Sequence, residues 1–213
     1  MNPTGALDDD AVLWSDSPAD RPLLVLLHGY GADEHDLFGL AASLPDGFAF
    51  AAVRAPLAPP WPTPGYSWYP IEGLEGRSPE RTTDAAARLV EWIDARAPDR
   101  SVGLLGFSQG GAVALQALRL QPERVDFVVN LSGYATPGSL PEDARLATMR
   151  PPVFWGRGGR DEVIPAPLVA HTTDWLPAHT DLSGRLYPAL GHAVSVDELA
   201  DVRRFLEIRL DAL

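Results

Sequence analysis

Short apolar runs alternate along this chain with longer stretches in which apolar positions recur every three or four residues. The runs are Leu23–Leu27, Phe48–Val53, Val102–Gly106, Phe127–Leu131, Val153–Gly156 and Arg185–Tyr187, with a weaker one at Ala11–Trp14. Most are apolar throughout rather than alternating, which marks strands covered on both faces. Helical spacing puts Leu37, Leu40, Ala41 and Leu44 on one face of Asp36–Leu44. It also groups Ala86, Leu89, Val90, Ile93 and Ala97 on a helix that Ser78-Pro79-Glu80 caps and Pro98 stops. Ala112–Leu118 reads as a third helix. Leu199, Val202, Phe205, Leu206 and Leu210 form the face of the last, which Ser195-Val196-Asp197-Glu198 opens as a capping box. Strands alternating with helices predict an α/β fold, a mainly parallel sheet of about seven strands with helices on both faces.

With 213 residues, 46% of them hydrophobic, the chain is sized for one domain over 1–213. Residues 1–10, ending in Leu7-Asp8-Asp9-Asp10, read as a flexible tail, and no insertion is large enough for a separate cap domain. There are no cysteines and every basic residue is Arg, which excludes a thiol nucleophile and Schiff-base chemistry. A net charge of −12 without a basic cluster argues against nucleic acid and anionic membrane surfaces as partners. No signal sequence or membrane-spanning run is present, so the expectation is a cytoplasmic protein that is not integral to a membrane. No metal-ligand spacing or cofactor motif occurs; Gly156-Arg157-Gly158-Gly159 only loosely resembles a phosphate loop.

The chemistry concentrates where the run Val102-Gly103-Leu104-Leu105 stops at Gly106-Phe107-Ser108-Gln109-Gly110 and a helix begins. That G-x-S-x-G between a strand and a helix is the pattern of a nucleophile elbow, whose tight turn needs small residues two positions either side of the nucleophile. Ser108 needs a base, and where this elbow is used the acid and then the base follow it in the chain. Of the five histidines, His28 and His35 come too early, and His171 and His179 sit in a helical segment. His192 follows a strand and Gly191 and precedes the last helix, which would hold it over the sheet edge. The carboxylate that orients it is Asp161, in the turn after Val153–Gly156, with Glu162 as rival; Asp126 falls at the wrong end of its strand. Two amides would complete an oxyanion hole: that of Gln109, after the nucleophile, and that of Tyr30, in His28-Gly29-Tyr30-Gly31 after Leu23–Leu27.

His28-Gly29-Tyr30-Gly31-Ala32-Asp33, Gly106-Phe107-Ser108-Gln109-Gly110-Gly111, Gly156 through Asp161-Glu162-Val163-Ile164-Pro165, and Gly191-His192 stand in this order. Together they resemble the phospholipase/carboxylesterase family of α/β-hydrolases, which includes acyl-protein thioesterases and small bacterial carboxylesterases, from about Leu23 to Leu210. The resemblance implies Ser108 as nucleophile, Asp161 as acid, His192 as base, and the Tyr30 and Gln109 amides as oxyanion donors. It sets Asn130-Leu131-Ser132-Gly133-Tyr134 beside an acyl pocket and is compatible with a homodimer. Family thioesterases often carry an aromatic pair followed by Asp where this chain has Ser67-Trp68-Tyr69-Pro70, which leaves the substrate open.

The segment from Ala55 to Ser78 holds six prolines with Trp61, Tyr66, Trp68 and Tyr69. It reads as an ordered loop over the mouth of the site. Trp68, Tyr66, Ser132 and Val163 are the candidate substrate-binding residues. The resulting expectation is a serine hydrolase without metal or cofactor. It would act on a small-molecule ester or an acylated substrate, possible thioesters included, of short to medium chain length through an acyl-enzyme. A peptidase or amidase on the same fold, or a non-catalytic binding protein, are the alternatives.

Overall fold

The computed structural model describes residues 6–18, 20–71 and 78–213. Among the described residues seven strands form one sheet: β1 (Leu13–Trp14), β2 (Leu23–Leu27), β3 (Ala49–Val53), β4 (Val102–Phe107), β5 (Phe127–Leu131), β6 (Pro152–Gly158) and β7 (Asp181–Tyr187). Their order across the sheet is β1-β3-β2-β4-β5-β6-β7, and every neighbouring pair is parallel except β1 with β3. The α-helices of the described residues are α1 (Glu34–Phe38), α2 (Pro79–Arg96), α3 (Gln109–Leu120), α4 (Asp143–Met149) and α5 (Ala166–His179) between strands, and α6 (Val196–Leu210) after the last.

The unbroken apolar runs have the expected cause. In β2, Leu23, Val25 and Leu27 pack with residues of α2, α3 and α5, while Leu24 and Leu26 pack with Leu37 of α1 and Val202, Phe205 and Leu206 of α6. Two cores therefore lie on opposite faces of one sheet. Leu23–Leu27 and Phe127–Leu131 are strands over the residues that the apolar pattern marks.

Elsewhere the boundaries move for physical reasons. The single helix expected over Asp36–Leu44 is instead α1 followed by a 3-10 turn at Ala41–Ser43. Asp33 starts the helix early by accepting the His35 amide at 3.0 Å, Gly39 caps its end, and Leu44 turns extended before Pro45. β7 begins four residues before the expected Arg185, because Asp181 and Ser183 lie on an edge strand that pairs through its backbone and leaves no apolar signature. Of the expected tail, residues 1–5 lie outside the described residues. Asp9 is not free: its carboxylate takes the Trp92 indole N–H at 2.8 Å and the Arg96 guanidinium, docking this end on α2. Among the described residues no helix is long and apolar enough to cross a membrane.

Candidate active site

β4 ends at Phe107, α3 begins at Gln109, and Ser108 between them takes φ 54°, ψ −113°. A side chain rarely adopts such angles, and the surroundings hold it there. The Ser108 amide donates to Leu131 O (2.8 Å) and its carbonyl accepts from Ala112 (3.1 Å). The flanking glycines are steric requirements: a Cβ on Gly106 would sit 2.3 Å from Gly110 O, and one on Gly110 would sit 2.0 Å from Leu27 O.

The other two groups reach Ser108 from the ends of β6 and β7. His192 Nε2 lies 2.9 Å from Ser108 Oγ, and His192 Nδ1 lies 2.7 Å from Asp161 Oδ2. Asp161 Oδ1 accepts the amides of Val163 (2.9 Å) and Ile164 (3.2 Å). Burial alone would raise the Asp161 pKa, but the bond from His192 and these amides outweigh it and hold the carboxyl below its usual value. The loops that carry Asp161 and His192 are stapled together: Gly159 donates to Tyr187 O (2.8 Å) and Arg160 to Leu190 O (2.9 Å). Gly158 permits this approach, since a Cβ there would meet Gly191 O at 2.2 Å. Phe107 packs on the His192 ring at 4.9 Å between centroids. The rival carboxylates are elsewhere: Glu162 is exposed, and Asp126 accepts the Val102 amide (2.9 Å) at the opposite end of the sheet.

Tyr30 follows β2 at the same sheet end. Its neighbours are tied down, Gly31 to Tyr66 O (2.9 Å) and Ala32 to Gly29 O (3.3 Å), whereas the Tyr30 amide has no backbone partner among the described residues. Gly31 makes this possible with φ 81°. Gln109 opens α3, so its amide is one of those a helix leaves unpaired at its positive end.

Two roles had no signal in the residue pattern. His28 is buried, accepts the Ala55 amide at Nε2 (3.0 Å) and bonds Gly29 O through Nδ1 (2.7 Å). Burial pushes its pKa down, partly offset by Gly29 O, so it is a neutral brace between the ends of β2 and β3. The Gln109 side chain accepts the Trp68 amide (2.9 Å) and donates to Tyr69 O (2.7 Å). Gln109→Leu would leave the Trp68 amide buried and unpaired, at a cost of roughly 1–3 kcal/mol, while Tyr69 O keeps the Ser67 hydroxyl at 2.6 Å. A denaturant melt checks this; an unchanged midpoint would show that the clamp contributes nothing.

The candidate substrate-binding residues divide. Trp68 is 0% exposed and donates its indole N–H to His28 O (2.9 Å), so it lies beneath the loop as an anchor. Tyr66 pairs with Ala32 through the backbone and carries the Arg54 guanidinium over its ring, 4.7 Å from the centroid. Arg54 in turn forks onto buried Glu34. Ser132 is buried at φ 51° with its amide on Gly156 O, and Val163 is exposed with its amide on Asp161. Beside Tyr30 opens a mainly apolar cavity of about 360 Å³, walled by Pro56, Leu57, Pro59, Pro60, Ser67 and Pro70. The prolines of the loop thus form its wall, while Trp61 at the tip points to solvent, 92% exposed; residues 72–77 of the same loop lie outside the described residues. Neither this cavity nor a larger hollow of about 550 Å³ between the start of α2, α3 and Pro137–Leu140 is lined by Ser108, His192 or Asp161, but the smaller one reaches Tyr30 and the larger one does not.

Known proteins share the sequence pattern and the fold. The sequence profile of the phospholipase/carboxylesterase family matches residues 8–210. Esterase YpfH of Escherichia coli is 30% identical over 200 residues, covering 88% of this chain and 82% of that protein. Acyl-protein thioesterase 1 of Mycosarcoma maydis is 28% identical over 219 residues, covering 86% and 89%. The crystal structure of esterase PE8 superposes with a TM-score of 0.77 at 27% identity, over 95% of this chain and 99% of the other. The chain therefore belongs to the phospholipase/carboxylesterase family of hydrolases and has the α/β-hydrolase fold.

Proposed function

We propose that this protein hydrolyses carboxylic esters or thioesters of short to medium acyl chains, with Ser108 as nucleophile. The observation that carries the reading is the continuous relay of Ser108 Oγ, His192 and Asp161 at 2.9 and 2.7 Å, with Ser108 held in an elbow. His192 Nε2 takes the Ser108 proton as Oγ bonds to the substrate carbonyl carbon. The Tyr30 and Gln109 amides stabilise the resulting oxyanion, each contributing about 3–4 kcal/mol in such sites. The tetrahedral intermediate then expels an alcohol or thiol, which leaves with the proton from His192, and the acyl group remains on Ser108. Water attacks next, giving its proton to His192; the carboxylic acid departs and the proton returns to Ser108 Oγ. Asp161 stays ionised throughout and steadies the imidazolium.

The cavity of about 360 Å³ is near the lower end of ligand pockets, roughly 300–1,000 Å³, and so favours short or medium acyl groups over long ones. Hydrolysis rates of nitrophenyl esters from acetyl to palmitoyl test the size, with a fluorophosphonate probe reporting the nucleophile. An optimum at the long end, or no labelling of folded protein, would overturn the reading.

A pH dependence follows. The mechanism needs an unprotonated base, so kcat/KM should fall toward acid pH. The carboxyl of Asp161, held below its usual value by the bond from His192 and the amides of Val163 and Ile164, stays ionised at neutral pH. A rate that does not fall toward acid pH would remove His192 from the base role.

A further inference from the structure

Two cavities adjoin along the proline loop. The first, of about 360 Å³, begins at Tyr30, and Leu57 and Pro70 are part of its wall. The same two residues wall a second cavity, of about 200 Å³, on the side that faces α2. Trp68 and Tyr69, both buried, complete it together with Arg81, Asp84 and Arg88 of that helix.

The two cavities differ in charge. Apart from the Tyr30 phenol, the first is lined by no ionisable side chain. The second holds two guanidinium groups against one carboxylate, a local positive excess in a chain of net charge −12. Several arginines elsewhere are occupied by carboxylates, as Arg54 is by Glu34, Arg119 by Asp143 and Arg124 by Asp94. Arg88 is half-buried and forms no ion pair with a described residue, not even with Asp84 one turn before it. Arg81 and Arg88 are seven residues apart on α2, two turns, and so share one face of the helix.

An acyl chain that starts at Tyr30 and crosses Leu57 and Pro70 ends among these groups. A terminal methyl there would strip water from the guanidinium groups and offer them no partner. A terminal anion would accept charge-assisted hydrogen bonds, and an Arg fork matches carboxylate and phosphate alike. We propose that the second cavity is an anion subsite of the active site, a proposal that rests on Ser108 as nucleophile and on the first cavity as the acyl site. The subsite takes the terminal carboxylate or phosphate of an acyl chain whose ester or thioester carbonyl lies at Ser108. Arg81 and Arg88 hold that anion, Asp84 limits the attraction, and Leu57 and Pro70 form the sill that the chain crosses. Hydrolysis then releases a dicarboxylate or a carboxylate that bears a phosphate.

Mono-nitrophenyl esters of dicarboxylic acids from adipic to sebacic test this, each against its neutral methyl-capped counterpart. The matching ω-phosphonates separate a carboxylate ligand from a phosphate. The readout is the ratio of kcat/KM for the anionic ester to that for its neutral counterpart. It should favour the anion at a defined chain length and fall by about tenfold in Arg88→Gln, the loss of one charge-assisted hydrogen bond. Arg88→Lys should recover part of that loss, Asp84→Asn should raise the ratio, and salt should lower it in the parent. Calorimetric binding of sebacic acid monoamide to the parent and to Arg88→Gln reads the subsite without the reaction. Cleavage of the neutral esters with no preference for the anion at any length would overturn the subsite and leave the hydrolase standing. So would a preference that Arg81→Gln and Arg88→Gln leave unaltered. No cleavage of either series, with monoamide binding that depends on Arg88, would instead overturn the hydrolase reading; no binding as well would end both.

Discussion

Ser108→Ala is expected to lower kcat by about 10⁶-fold, abolish fluorophosphonate labelling and leave the fold intact. The loss is large because, in the proposed mechanism, the hydroxyl oxygen is the atom that becomes acylated. The fold survives because the strained turn does not depend on that hydroxyl. Its backbone is held by Ser108 N to Leu131 O and Ala112 N to Ser108 O, and by the close approach of Gly110 to Leu27. The residual rate would come from the oxyanion donors and substrate binding, typically 10³–10⁴-fold over water, roughly what remains when one triad member is removed. Steady-state kinetics with a circular dichroism melt checks both halves. A variant that melts like the parent and keeps a large share of its activity would end the role of Ser108 as nucleophile.

The largest expected effect on stability lies at Glu198. It is the third residue of α6, and the capping box forms only in part: Ser195 Oγ accepts the Glu198 amide at 3.1 Å, while the Glu198 side chain turns inward. That side chain is fully buried against Gly156, where an added Cβ would meet Oε1 at 2.1 Å, and neither oxygen makes a hydrogen bond of good geometry. Burial pushes its pKa up to about 7 from 4.5, with the Ser195 amide opposing the shift and the Asp201 charge adding to it. The folded state therefore prefers the protonated form. Its contribution is fully present below the unfolded value and is lost as pH rises through about 7. At about 1.4 kcal/mol per unit, the stability lost across this range is on the order of 3 kcal/mol. Glu198→Gln keeps the shape without the charge. The variant should be more stable than the parent above neutrality by up to that order, and the difference should vanish in mild acid. Urea melts at acid and alkaline pH decide it; a difference independent of pH would mean that Glu198 does not titrate in the folded protein.

The relay itself was legible in the residues because its parts obey local rules. A serine in a turn this tight needs Gly106 and Gly110, the loop that carries Asp161 follows the apolar run Val153–Gly156, and His192 stands out by its place between Gly191 and the capping box of the last helix. The pocket was not legible in the same way. Tyr66, Trp68 and Tyr69 suggested an aromatic wall, yet the buried amides and carbonyls of that segment need partners. They find them in Gln109, Ala32 and Leu57, which draws Trp68 underneath and leaves prolines to form the surface. His28 and Glu198 likewise look like ordinary loop and capping residues until burial sets their protonation.

Periodicity, glycine placement and chain order determined the α/β architecture, the turn at Ser108 and the order in which Ser108, Asp161 and His192 come along the chain, because each depends on neighbours a few residues apart. Which side chains wall the cavity, which histidine braces the ends of β2 and β3, and where β7 begins were decided only by tertiary structure. Those outcomes depend on pairing and burial between segments distant in the chain, and the free energy of a buried polar group is set by whichever partner the fold brings to it.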